Sequence, residues 1–192
     1  MLEELAALEK NKTWELVPSP MGKKIVSCKW VYTVKQNPDG KIERYKARLV
    51  AKGYSQTYGI DYDETFALVA KMSTVRTLIS CATNFDWPLY QLDVKNAFLH
   101  GDLHEEVYME IPPGFATAQT KGKVLRLKKS LYGLKQSPKA WFDRFKRAMC
   151  GMGYSQCIMA ITPCFIVTLE IVLLFLQCML MILLSLVMTL WK

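Results

Sequence analysis

The chain has 192 residues, 51 % of them hydrophobic, and a net charge of +8. It is long enough for one domain with a real core and short for two. Six cysteines, at 28, 81, 150, 157, 164 and 178, form no CxxC pair and no Cys/His ladder, and the acidic start Met1-Leu-Glu-Glu-Leu5 is not a secretory leader. These features exclude a secreted disulfide framework and point to an intracellular protein with reduced, mostly buried thiols. The last 35 residues hold one base, Lys192, and one acid, Glu170, so 24 Lys and Arg face 16 Asp and Glu in residues 1–157. A basic body of that size suggests a polyanionic partner, most often nucleic acid.

In chain order, Leu2 to Glu9 carries apolar residues at helical spacing and then meets Asn11. Pro18-Ser-Pro20-Met-Gly22 breaks the chain. Ile25 to Lys35 alternates and is rich in β-branched and aromatic residues, Asn37-Pro-Asp-Gly40 supplies turn chemistry, and Ile42 to Lys52 reads as the returning strand of a hairpin. Ser73 to Phe85 reads as a serine-capped helix, Pro88 to Asp93 as a short strand, and Val107 to Glu110 and Val124 to Leu127 as further strands. Lys139 to Met149 predicts an amphipathic helix with Trp141, Phe142, Phe145 and Met149 on its apolar face. The expected class is therefore mixed α/β (α+β).

The texture changes after Cys157. Ile171 to Leu190 is almost wholly Ile, Val, Leu, Phe and Met, long enough for a transmembrane helix.

Gln91-Leu-Asp93-Val-Lys-Asn-Ala-Phe98 places a carboxylate at the end of a short apolar strand with an aromatic five residues on. Asp93 could hold Mg²⁺ and Phe98 could wall a sugar pocket, although those eight residues alone read better as a strand ending in a capping Asp. Lys46, Arg48 and Lys52 stand at even intervals, so an extended chain points them to one face, as phosphate contacts or as a solvated strand face. Leu131-Tyr-Gly-Leu-Lys-Gln136-Ser-Pro138 adds a turn with an amide side chain. Asp61, Asp63 and Glu64 read as a surface turn, and His100 and His104 as ordinary surface residues, because no third ligand is in sight.

Together the chain resembles the reverse transcriptase domain of copia-type (Ty/copia) retrotransposons, part of a Pol polyprotein. The resemblance is carried by Asn11-Lys-Thr-Trp-Glu-Leu-Val17, Cys28-Lys-Trp-Val-Tyr32, Arg44-Tyr-Lys-Ala-Arg-Leu-Val-Ala-Lys-Gly53, Asp61-Tyr-Asp-Glu-Thr-Phe66, Gln91-Leu-Asp-Val-Lys-Asn-Ala-Phe-Leu99, Val107-Tyr-Met109 and Leu131-Tyr-Gly-Leu-Lys-Gln136. These occur in the family's order and spacing and cover residues 1–157. The resemblance implies a right-hand polymerase: a lead-in helix and linker over 1–24, then fingers from about 25 to 85 and a partial palm from 87, within 25–157. It implies that Asp93 is the first metal-binding aspartate and that Phe98 discriminates against a ribose 2′-hydroxyl. Arg48, with Lys46 and Lys52, would approach the incoming triphosphate, and Gln136 would line the nucleotide pocket. Mg²⁺ is the implied cofactor, with an RNA or DNA template-primer and a dNTP as partners.

The pattern then breaks. Polymerase chemistry needs two Mg²⁺ ions about 4 Å apart, which one carboxylate cannot hold. The family supplies the others from a Tyr-x-Asp-Asp hairpin, but no Asp follows Asp143 here, and an apolar tail, 158–192, occupies that place. The genetic code offers a reason, because Phe, Leu, Ile, Met and Val share U at the middle codon position. Regrouping the third base of each codon with the next two allows Tyr-Val-Asp-Asp across Cys178 to Ile182. A one-nucleotide frameshift near Cys157–Ile158 is therefore expected. The resulting reading is a truncated reverse transcriptase fragment, lacking hairpin and thumb and inactive as it stands, with residual nucleic-acid binding. The alternative is a membrane-anchored protein with a basic cytosolic domain. A third expectation is that the stretch belongs to a larger polyprotein. An exposed tail would also allow accidental membrane association through residues 171–190.

Overall fold

The computed structural model describes residues 1–65, 67, 72–86, 89–92, 94–157, 164–166, 172–175 and 183–187. They form a mixed α/β arrangement of helices and sheets in two compact units, one of residues 1–65 and 97–141, the other of 66–96 and 142–192.

The first unit begins with α1 (Leu2–Lys10), whose buried residues Glu4 and Leu8 lie one turn apart on the same face. The sequence did not signal the next element, β1 (Trp14–Pro18), five residues that find their partner far along the chain. The predicted strand from Ile25 to Lys35 divides in two: β2 (Ile25–Val26) and β3 (Cys28–Gln36). Ile25 and Val26 pair in parallel with Tyr108 and Met109 of β6 (Asp102–Met109), whereas Cys28 onward pairs antiparallel with β4 (Ile42–Ala51). The β3–β4 turn is the expected one, with Gly40 at φ +80° and its N–H donating to the Asn37 carbonyl at 2.9 Å.

A four-stranded sheet runs β1–β7–β6–β2, where β7 is Lys123–Lys129. In register, Trp14 faces Leu127 across β1–β7, and Val107 faces Leu127 across β6–β7. The core of this unit lies between the sheet and the inner end of the β3–β4 ribbon: Leu8, Leu49, Met109 and Leu131 are fully enclosed, beside Val26, Cys28, Ala51 and Leu127. Each such Leu or Met stabilises the fold by about 1.5–3 kcal/mol.

The second unit contains α2 (Met72–Asn84) and β5 (Leu89–Leu92). Helix α3 (Ser137–Gly151) runs from the first unit into the second, and Trp141, Phe142, Phe145 and Met149 are buried along it as their spacing predicted. A five-stranded sheet, β5–β11–β10–β9–β8, adds β8 (Ser155–Cys157), β9 (Cys164–Ile166), β10 (Val172–Phe175) and β11 (Leu183–Val187). The two described stretches within Ile171–Leu190 are thus strands, not turns of one continuous span. Among the described residues, no helix is long and apolar enough to cross a membrane. An apolar run has no periodicity to separate a spanning helix from sheet strands, so length and hydropathy alone favoured the helix.

Candidate functional site

Strand alternation sets the site. Along β4, Leu49 and Ala51 turn into the core, so Lys46 and Arg48 take the opposite face. Their cross-strand partners in β3 are Thr33 and Val31, and the same face carries Arg44 opposite Lys35, with Lys29 opposite Val50. Five cations therefore share one side of a two-stranded ribbon. Burial, and after it the neighbouring Arg48, pulls the Lys46 ammonium below its usual range.

Arg48 does not stand alone on that face. Its guanidinium carbon lies 5.4 Å from the centroid of the Tyr132 ring, a cation–π distance. The Phe98 ring meets Tyr132 edge-on, 5.3 Å between centroids at 80°. Tyr132 thus brings together Arg48 and Phe98, two residues that the sequence reading proposed separately. Tyr132 itself was missed; the only local signal is an aromatic placed just before a turn glycine.

The loop carrying Tyr132 is fixed by backbone. The Ala51 N–H donates to the Tyr132 carbonyl at 2.8 Å, and Gly133 sits at φ +91° with its α-carbon hard against the ribbon. A Cβ at Gly133 would fall 2.1 Å from the Ala51 oxygen, and one at Gly53 would fall 2.1 Å from the Gly133 oxygen. Phe98 is held from its own side. Its carbonyl accepts from the Gly101 N–H at 3.1 Å and from the Ser130 hydroxyl.

Gln136 is buried, and both ends of its amide are engaged inside the protein. Its Nε2 donates to the Asp61 carbonyl at 3.2 Å, and its Oε1 accepts from Gln56 Nε2 at 3.1 Å. Gln56 in turn accepts the Lys135 N–H at 2.9 Å. The structure thus places Gln136 as the pin of a loop-to-loop junction. Asp61 is buried with Oδ2 accepting the Thr57 N–H at 2.7 Å, while Glu64 pairs with Lys139 at 3.6 Å. The stretch is a turn stitched into the junction, and no group of three metal-binding side chains occurs among the described residues.

Lys52 lies one residue past the end of β4, at φ −87°, ψ 65°, so strand alternation no longer sets its direction. Its charge acts on the Cys28 thiol, which belongs to the core side of the ribbon. Burial pushes that thiol up to about 11, leaving Cys28 unreactive. His100 is exposed with its ring 6.1 Å from that of Trp141, and His104 is exposed on β6. Asp93 lies outside the described residues.

A second residue missed by the sequence reading is Glu4. It is 8 % exposed, and burial raises its carboxyl above the ordinary value against the opposing charges of Lys46, Arg48 and the amino terminus.

Five cations thus line one face of the ribbon, and an Arg–Tyr–Phe stack stands at its root. The reverse transcriptase (RNA-dependent DNA polymerase) family matches residues 11–170, and the chain belongs to that family. The match runs thirteen residues beyond Cys157, where the composition changes. The chain is 52 % identical over 154 residues to the retrovirus-related Pol polyprotein from transposon TNT 1-94 of Nicotiana tabacum, covering 80 % of this chain and 12 % of that protein. It is 48 % identical over 155 residues to that from transposon RE2 of Arabidopsis thaliana, covering 80 % and 11 %. It is also 32 % identical over 167 residues to the Ty1-DR4 Gag-Pol polyprotein of Saccharomyces cerevisiae, covering 78 % and 9 %. The chain therefore corresponds to the reverse transcriptase domain of a copia-type Pol polyprotein and spans about a tenth of the length of these relatives. No solved structure matches it.

Proposed function

We propose that this stretch supplies the fingers and part of the palm of an RNA-directed DNA polymerase, and that the 192-residue chain alone does not polymerise. In this reading Arg48 and Lys46 face the phosphates of the incoming nucleotide, and Phe98 walls its sugar. Gln136 holds the loop that presents Tyr132, in addition to lining the nucleotide pocket. The observation that supports it is the Arg48–Tyr132–Phe98 stack, which fixes a cation and a wall residue on one ring. Lys52, past the strand end, has the weakest support as a phosphate contact.

The residues present suit a divalent metal only in part. Asp93 offers the hard oxygen donor that Mg²⁺ prefers, but no Asp follows Asp143 to complete a two-metal set. Inactivity of the chain as given follows from that shortfall, and template binding through the basic ribbon does not depend on it.

Primer extension on an RNA template with Mg²⁺ tests the reading, using this chain beside a version in which the Tyr-Val-Asp-Asp frame is restored in the full Pol context. Extension only by the restored version is expected, with loss on Asp93→Asn, a raised KM for dNTP on Arg48→Ala, and ribonucleotide incorporation on Phe98→Ala. Extension by the 192-residue chain that disappears on Asp93→Asn would overturn the proposed inactivity.

A further inference from the structure

One buried charge has no part in the polymerase reading. Helix α1 is acidic and mostly solvent-facing, yet Glu4 shares its buried face with Leu8, and the helix packs against β4. A carboxylate is seldom enclosed unless it is paired. Glu4 is only partly satisfied. The backbone N–H of Leu49 acts on the carboxylate, but Oε1 has no hydrogen-bond partner, and Arg48 Nε is likewise buried without one. Lys46 and Arg48 both bear on Glu4 through their charge, and no ion pair within 4.0 Å joins either to it among those described.

Each half-satisfied buried polar atom is a cost to the fold, and replacing a buried ionic pair by neutral groups is often stabilising. Glu4 therefore has no evident value as a stabiliser. Its place does have an electrostatic consequence. A negative charge enclosed beside two cations of a phosphate-facing strand cancels part of their field, and it is screened by salt less than a surface charge would be.

We propose that Glu4 is a positioning residue for the basic face of β4: its buried negative charge holds back the phosphate affinity of Arg48 and Lys46 and sets how strongly that face grips a nucleic-acid backbone. The proposal rests on reading Arg48 and Lys46 as phosphate-facing. Neutralising Glu4 strengthens polyanion binding. Because burial raises its carboxyl above 4.5, this happens on mild acidification, before the ordinary surface carboxylates titrate. The groups bearing on Glu4 are Lys46 and Arg48 from β4 and the amino group of Met1.

The test is fluorescence anisotropy of a labelled oligothymidylate of about 12 nucleotides, a length suited to a single-strand groove. Its phosphodiester and thymine groups keep their charge from neutral to mildly acidic conditions. The 192-residue chain is compared with Glu4→Gln, Glu4→Asp and the Lys46→Ala, Arg48→Ala double variant. At neutral pH Glu4→Gln should bind roughly threefold or more tighter than the parent, while Glu4→Asp stays close to the parent. As the pH is lowered the parent should approach Glu4→Gln, narrowing the gap.

Equal affinities of parent and Glu4→Gln at neutral pH would overturn the proposal. So would a gap that does not change with pH, or a Glu4→Gln chain that melts earlier and binds more weakly, since either marks a purely structural role. Binding that drops in the double variant but ignores Glu4→Gln sinks this inference alone. Binding indifferent to the double variant sinks the phosphate-facing reading and this inference with it.

Discussion

The root and the tip of the β3–β4 ribbon are made of the same strand pair and behave as different materials. At the root, Leu49 and Ala51 are enclosed, Gly133 and Gly53 fit with no room for a side chain, and Gln56, Gln136 and Asp61 close their hydrogen bonds on one another. At the tip, Tyr32, Val34 and Tyr45 are exposed, and among the described residues Arg44 and Lys41 form ion pairs only with sequence neighbours, Glu43 and Asp39. The root specifies where Arg48 points. The tip supplies charge, which tolerates motion because a polyanion is drawn by the summed field rather than by one geometry.

If that contrast is right, root substitutions act on stability and tip substitutions on salt-dependent binding. The largest effect is expected for Gly133→Ala, which combines a positive φ with a backbone overlap; it should cost about 3 kcal/mol or leave the chain unfolded, as measured by denaturant unfolding. Gln136→Leu leaves the Gln56 amide and the Asp61 carbonyl buried without their partner, at about 2–3 kcal/mol in the same measurement. Tyr132→Ala removes the ring shared by Arg48 and Phe98; about 1–2 kcal/mol of stability should go, with weaker oligonucleotide binding, whereas Tyr132→Phe keeps both stacks. Lys35→Ala at the tip should leave the melting temperature unchanged and lower the slope of log affinity against log salt by about 0.7. A large loss of stability on Lys35→Ala would erase the distinction.

The smallest effect sharpens the comparison through pH. The folded state raises the Glu4 carboxyl, so it binds a proton more readily than the unfolded chain does. The favourable contribution is complete below the unfolded value of 4.5 and is lost as the pH rises through the folded value. Lowering the pH from neutral toward about 5 should therefore raise the melting temperature slightly in the parent relative to Glu4→Gln. Glu15, held low by Lys128, acts in the opposite sense but stays ionised across that range.

The hairpin was legible because local chemistry and tertiary structure agree there: alternation, an Asp-Gly turn and a matching returning strand. Helix α3 was legible for the same reason, its apolar stripe being the buried one. Strand β1 was not, since Trp14 to Pro18 becomes a strand through register with β7, more than a hundred residues on. Nor was the break at Ser27, where the chain leaves β6 for β4 without any Gly or Pro to announce it. At the site, the family resemblance pointed to Arg48 and Phe98, whereas residue type and spacing alone left Arg48 as a phosphate contact or a solvated strand face and read the Phe98 stretch as a capped strand end. Tyr132, Gln56 and Glu4 matter through which atoms they meet, and periodicity carries no information about that. The tail shows the converse, for a run of apolar residues states that it avoids water without stating in what form.

Cys28 has one more consequence. Its sulfur donates to the Glu110 carbonyl at 3.7 Å, and its pKa, pushed up to about 11 by burial, leaves almost no thiolate at neutral pH, while Cys150 is exposed. An alkylating reagent should modify Cys150 at once and reach Cys28 only when the ribbon's root separates from the sheet beneath it. The delay between the two adducts, followed by mass spectrometry, is a built-in clock for how often that root opens.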